Sequence, residues 1–311
     1  VSVAFILGQR QTAYDPANLI RLHKAEFRLQ DAYAEAAETT GIDVEHLLNN
    51  VAEGERAKRV VASVGLAAAM IGIHDVLRDR GIAPAAIGGL SLGTMVGSAL
   101  AEALTRPDLY RLLALAENAD EPDLTGRAQG CAGAVLPIGE KYESFYGGQE
   151  GIWLAGDFGM HESGAFRMLL LAGYRDALEE AASRVPKEYF QFNEEVIAPH
   201  CPLRQHVADA VAEYLKEVPV ADPTVRLCSC IERGTLSTAS EVADMLVRNM
   251  VTGVDLDAVS GEMIAAGAKI GLVLGPTLPP VFEFPFPVVY LDAPEDFEKI
   301  EPAALAAGIK L

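Results

Sequence analysis

Positive charge is what this sequence has least of. Lys and Arg number 25 against 44 Asp and Glu in 311 residues, a formal net charge of −19. A protein that holds nucleic acid meets the phosphate backbone with clustered Lys and Arg, and an anionic membrane surface asks for the same clustering. Both partners are therefore excluded as a main role, and the acidity reads as a soluble, self-repelling surface. The densest basic run, Arg56, Lys58 and Arg59, is expected to be a solvated helix face. Cysteine is scarce too, with four residues: Cys131, Cys201, Cys228 and Cys230. The last two are spaced C-x-C rather than C-x-x-C, and no His follows at ligand distance, so neither a zinc site nor a redox pair is expected. Reduced, buried thiols fit the cytoplasm. The apolar stretch Val1 to Leu7 lacks the basic flank and the length of a signal peptide. No segment reads as the roughly 18–20 apolar residues of a membrane span. The expectation is a cytoplasmic protein with no bound metal or cofactor.

What the chain has in quantity is apolar residues, 50% of the total. A chain of this length suits one large domain with a smaller one attached. Val1 to Leu7 reads as a buried strand stopped by Gly8. Leu19 to Leu48 has helical spacing interrupted at Gly41. Val60 to Arg80 is a helix apolar on most sides, hence central. Ala83 to Ile87 leads into Gly88-Gly89-Leu90-Ser91-Leu92-Gly93, and helices follow over Leu92 to Leu104 and Asp108 to Asn118. The pattern changes near Arg127. Segments at 131–137, 141–146, 152–155, 166–171, 174–184 and 189–192 read β-α-β-β-α-β, the ferredoxin-like order. Helices over 203–218, 239–250 and 261–268 and strands over 224–231 and 270–274 resume the first style. The run Thr277 to Pro287 is expected to lie extended across the surface.

Gly89-Leu90-Ser91-Leu92-Gly93 matches G-x-S-x-G. That pattern suits a nucleophile because glycine on both sides lets backbone pass close to a tight strand-to-helix turn, leaving the hydroxyl exposed. The helix that follows points its amides and positive dipole end at the site. A nucleophilic serine needs a base within hydrogen-bond reach. Of six histidines, His23, His46, His74 and His206 fall within expected helices and read as structural, and His161 lies in a Gly-flanked loop. His200, between Pro199 and Cys201-Pro202 and just before a helix, holds the rigid, non-helical position a base requires.

These features together resemble the acyltransferases of the malonyl-CoA:acyl-carrier-protein transacylase type, which serve fatty-acid and polyketide synthesis. The likeness rests on a first strand ending in Gly8-Gln9, G-x-S-x-G after a long apolar helix, a ferredoxin-like insertion, His200 at a helix start, and a late strand ending in Gly275-Pro276. It implies an α/β fold: a large domain with a short parallel sheet flanked by helices (1–127 and 197–311) and an inserted ferredoxin-like small domain (128–196). It also implies Ser91 as the acylated nucleophile, His200 as its base, Gln9 with the Leu92 amide as the oxyanion hole, and Asn249 supplying a backbone carbonyl to orient the histidine. The substrates implied are acyl-CoA and a phosphopantetheinyl acyl carrier protein, worked in two half-reactions by a monomer.

The sequence departs from that pattern in places. Arg10-Gln11 follows Gln9 where the family has Gly and a small residue, and Leu90 precedes the serine where malonyl-specific members have His. Those members also carry an Arg roughly 25 residues beyond the serine, which pairs bidentately with the substrate carboxylate. Here that position is Ala116, followed by Glu117. A buried carboxylate without a cation is very unfavourable. The expected substrate is thus a monocarboxylic acyl group, unless Arg10 or Arg248 reaches the site. Alternatives are an editing hydrolase that clears acyl carrier proteins with the same Ser-His pair, and a degenerate relative that only binds a carrier protein. A plain α/β-hydrolase would instead use an acid such as Asp157.

Overall fold

The computed structural model describes residues 2–11, 14–119, 126–147, 149–193 and 197–311. Val3–Leu7 forms β1, every residue of it buried. Such a continuous apolar run marks a parallel strand covered on both faces. Helices α1 (Ala17–Ala25), α2 (Phe27–Thr40) and α3 (Val44–Asn49) lead to the long α4 (Glu55–Asp79). Then come β2 (Ala86–Gly89), α5 (Leu92–Leu100) and α6 (Arg106–Asn118). The next stretch holds β3 (Gln129–Pro137), α7 (Tyr142–Phe145), β4 (Ile152–Met160), β5 (Phe166–Tyr174), α8 (Arg175–Ser183) and β6 (Phe190–Phe192). Then follow α9 (Gln205–Glu217), β7 (Leu227–Cys228), β8 (Thr235–Leu236), α10 (Ala239–Arg248), β9 (Val254–Asp255) and α11 (Leu256–Ala265). The described chain closes with β10 (Ile270–Leu274), β11 (Val288–Leu291) and α12 (Ile300–Ala306).

The strands make two sheets. The larger runs β11-β10-β1-β2-β7-β8, with β11, β10, β1, β2 and β7 mutually parallel and β8 turning back on β7. The smaller runs β6-β3-β5-β4-β9. Its first four strands are antiparallel neighbours in the ferredoxin-like order. The two-domain α/β class expected from the sequence is the one observed.

Some local expectations are corrected. The charged run at 56–59 is not uniformly solvated: Arg59 is buried, because α6 packs across α4 there. Helix α4 is also long and apolar enough to cross a membrane by composition, but 94% of its most apolar window is buried among the other elements. It is the central core helix. The strand expected over 224–231 shortens to β7, since Thr224 bonds through both its amide and its hydroxyl to the Ala101 carbonyl, outside the sheet. The segment after Gly275 lies only partly on the surface: Pro279, Pro280, Glu283, Pro285 and Pro287 are exposed. Thr277, Leu278, Phe282 and Phe286 are buried, and Phe282 bridges to His161. The chain then adds β11 alongside β10.

This architecture sets the site. Loops at the carboxyl ends of the parallel strands β1 and β2 carry Gln9-Arg10 and Ser91, the place where open α/β sheets present ligands. Both motif glycines are needed for close approach. A Cβ on Gly93 would run into the Leu7 carbonyl, and one on Gly89 into the backbone of Gly93. Gly93→Ala should therefore cost about 1–3 kcal/mol in urea unfolding. Gly130→Ala, where an added Cβ meets only ordinary contacts, should change stability by less than about 0.5 kcal/mol.

Candidate active site

Ser91 is the residue before the first turn of α5, with φ 56° and ψ −112°. That conformation is disfavoured for any residue with a Cβ, by roughly 1–3 kcal/mol, so the surroundings must impose it. They do so through backbone bonds. Leu90 N–H donates to the Leu7 carbonyl at 3.0 Å and Gly93 N–H to the Leu90 carbonyl at 2.9 Å. Thr94 Oγ1 donates to the Gly89 carbonyl at 2.6 Å, and Asn249 Nδ2 to the Ser91 carbonyl at 3.2 Å.

Facing the serine is His200, also at positive φ (52°), on the loop between β6 and α9. Its Nε2 lies 2.8 Å from Ser91 Oγ and its Nδ1 2.6 Å from the Asn249 carbonyl oxygen. A carbonyl only accepts, so Nδ1 must carry the proton, leaving the Nε2 lone pair for the serine hydroxyl. Asn249 is the residue just past α10. Its carbonyl belongs to the set that a helix end leaves unsatisfied, and the negative dipole end of the helix favours an imidazolium forming beside it. Burial first, then the positive charges of Arg10 and Arg204, push the His200 pKa from 6.5 down to about 4; the Asn249 bond and Glu117 oppose them. The imidazole is thus held neutral, in the form that accepts a proton.

Serine and histidine open into a cavity of about 470 Å³, within the roughly 300–1,000 Å³ of small-molecule sites. Gln9, Arg10, Leu92, Met95, Leu113, Ala116, Glu117, Arg204 and Val207 line it from the large domain. Cys131, Leu170, Gln191 and Phe192 close it from the ferredoxin-like sheet. Leu92 is the first residue of α5, so its N–H has no partner within the helix. Gln9, Leu92, Ser91, His200 and Asn249 all line this cavity.

The charged wall was not legible in the sequence. The Glu117 carboxylate takes Arg10 Nη1 at 2.5 Å, the Ser63 hydroxyl at 2.7 Å and Arg59 Nε at 3.5 Å. Burial works to raise its pKa, but the charge of Arg10, the bonds from Ser63 and Arg10 and the charge of Arg204 outweigh it and hold the carboxyl below its ordinary range. Arg248 lies elsewhere, pairing with Glu232 and Asp244 on the outside of α10. Asp157 pairs with Arg167, and His161 bonds Ser163 and stacks on Phe166; neither lines the cavity. The thiols of Cys201 and Cys230 are pushed up to about 11 by burial, so they stay protonated and do not compete as nucleophiles.

No family model matches the sequence, and no curated relative does. Solved structures do match. The malonyl-CoA:acyl-carrier-protein transacylase of Clostridium perfringens superposes with a TM-score of 0.84 at 15% identity, over 99% of this chain and 98% of that one. The protein shares the transacylase fold. The acyl-carrier-protein S-malonyltransferase of Vibrio cholerae gives 0.80 at 18% identity over 96% of this chain and all of its own. A malonyl-transacylase solved in complex with the type II PKS acyl-carrier protein AntF gives 0.83 at 18%, over 98% of this chain and 100% of that chain.

Because His200 is held neutral, the rate at which a fluorophosphonate modifies Ser91 should stay level from about pH 8 to about pH 5 and fall below that. An inflection near 6.5 would contradict the buried setting. The same shift makes stability pH-dependent. The folded pKa lies below the unfolded one, so this contribution is complete above about pH 6.5 and is lost as pH falls towards 4. His200→Ala should slow Ser91 modification by at least about a thousandfold. Asn249→Ala, which removes the side-chain bond but keeps the carbonyl, should slow it by about tenfold or less.

Proposed function

We propose that the protein is a serine acyltransferase that carries an acyl group between thioesters, from CoA or one carrier protein to an acyl carrier protein. One observation carries this reading: Ser91 Oγ stands 2.8 Å from His200 Nε2 while Nδ1 is held by the Asn249 carbonyl, at the mouth of a cavity that could hold an acyl chain. In the first half-reaction His200 Nε2 takes the Ser91 proton as Oγ attacks the thioester carbonyl. The tetrahedral oxyanion is held by the Leu92 N–H and Gln9, a type of interaction that supplies a few kcal/mol. The C–S bond then breaks, the thiol leaves with the proton from His200, and an ester on Ser91 remains. A carrier thiol reverses the same steps. The reaction draws on no metal or bound cofactor.

The acyl group is monocarboxylic. Position 116 is an alanine, and Arg10, which does reach the cavity, is already engaged by Glu117. Met95, Leu113, Leu170 and Phe192 offer apolar wall to an aliphatic chain. The neighbour solved with its acyl-carrier protein supports the same kind of partner, in polyketide or fatty-acid synthesis. We place the protein in the cytoplasm, as a monomer, with 1–127 and 197–311 as the catalytic domain and 128–196 as the small one. Hydrolysis of the acyl-Ser91 ester needs the same groups and only a water in place of the thiol.

Intact-mass measurement on protein mixed with a panel of acyl-CoAs, beside Ser91→Ala, tests this directly. The expected result is an adduct absent from the variant and discharged by an acceptor carrier protein. Free acid released equally fast with and without acceptor would mean a hydrolase. No adduct with any thioester would leave only the carrier-binding role.

A further inference from the structure

The acyl-transfer steps leave Glu117 without a part. It stands in the last turn of α6, where a helix dipole disfavours negative charge, and it is largely buried, where an unpaired charge is costly. What holds it is a receptor for a carboxylate: Arg10 at 2.5 Å, Ser63 at 2.7 Å, Arg59 at 3.5 Å and the nearby charge of Arg204. Among the described residues lining the cavity it is the one acid, and it faces the same space as Ser91.

We infer that Glu117 is a specificity-determining residue: its carboxylate fills an anion subsite at the end of the acyl cavity and so restricts Ser91 to acyl groups whose far end is uncharged. The inference rests on the acyltransferase reading and names its substrate class. A diacid half-thioester entering the cavity would bring a second carboxylate beside the first, whose side chain is only 14% exposed. Like charges so placed repel strongly. The guanidinium of Arg10, committed to Glu117, cannot turn to the newcomer without leaving a buried carboxylate behind. Remove the Glu117 charge and the same arginines face a cavity in which a substrate carboxylate can take its place.

The test compares malonyl-, succinyl- and glutaryl-CoA with acetyl-, butyryl- and hexanoyl-CoA in wild type, Glu117→Gln and Glu117→Ala, reading initial rates of acyl-Ser91 formation. Wild type should favour the monoacids. Glu117→Ala should raise the diacid-to-monoacid ratio by about ten- to a hundredfold, and free acetate should compete with the diacid in that variant only. Glu117→Gln, which keeps the shape, should move the ratio in the same direction by less. The phosphonate reaction at Ser91 shows in each variant whether the site is assembled. Wild type loading a diacid as readily as a monoacid overturns the inference with no variant needed. So does a ratio within about twofold of wild type in variants that still react with phosphonate. If phosphonate labels Ser91 but no thioester of either class does, the acyltransferase reading fails, and this inference with it.

Discussion

The bond from His200 Nδ1 to the carbonyl of Asn249 is the constraint on which the site depends. It fixes the tautomer, aims Nε2 at Ser91 and replaces the carboxylate that a Ser-His-Asp arrangement would use. A carboxylate would hold the imidazole by charge and raise its pKa. A carbonyl at a helix end raises it far less, and burial with Arg10 and Arg204 nearby outweighs that effect. The imidazole is consequently a weak base that stays neutral down to about pH 5.

The constraint explains the shape around it. Asn249 presents its carbonyl from the end of α10 to His200 and its side chain to the backbone of Ser91, so both are tied to one residue. Ser91 itself rests on the close passage of Gly89 and Gly93 past the end of β1, which admits no side chain. The strained serine and the strained histidine each sit at a junction where strand or loop gives way to helix. Packing on both sides imposes conformations that neither residue would adopt alone.

Much of this was legible in the sequence, for identifiable reasons. The glycines of residues 89–93 announce a tight turn because glycine has a steric meaning wherever it occurs. Pro199 and Pro202 mark His200 as rigid and non-helical. The small sheet showed itself through its alternation of strands and helices. Asn249 came only from resemblance, because any residue type offers a backbone carbonyl. Glu117 was counted past: spacing from the serine locates a turn of α6 but not the side chain that turns inward. Arg59 looked solvated because it belongs to a charged run, and only α6 lying across α4 makes its position an interior one. Strand β11 was hidden behind the proline-rich segment at 276–287, and β9, two residues long, is too short to carry a period.

That short strand has a consequence for motion. β9 pairs with β4 at the edge of the ferredoxin-like sheet, yet it follows directly on the segment bearing Asn249, and its Asp255 amide is bonded to Cys230 in the large domain. One piece of chain is thus stitched into both halves of the molecule. Opening the cleft on that side by a swing of the small sheet would strip the β4–β9 ladder and pull on the segment whose Asn249 carbonyl bonds His200. Gln191 and Phe192 line the cavity from the opposite edge of that sheet. The cavity therefore has one edge whose backbone is tied to both halves of the molecule.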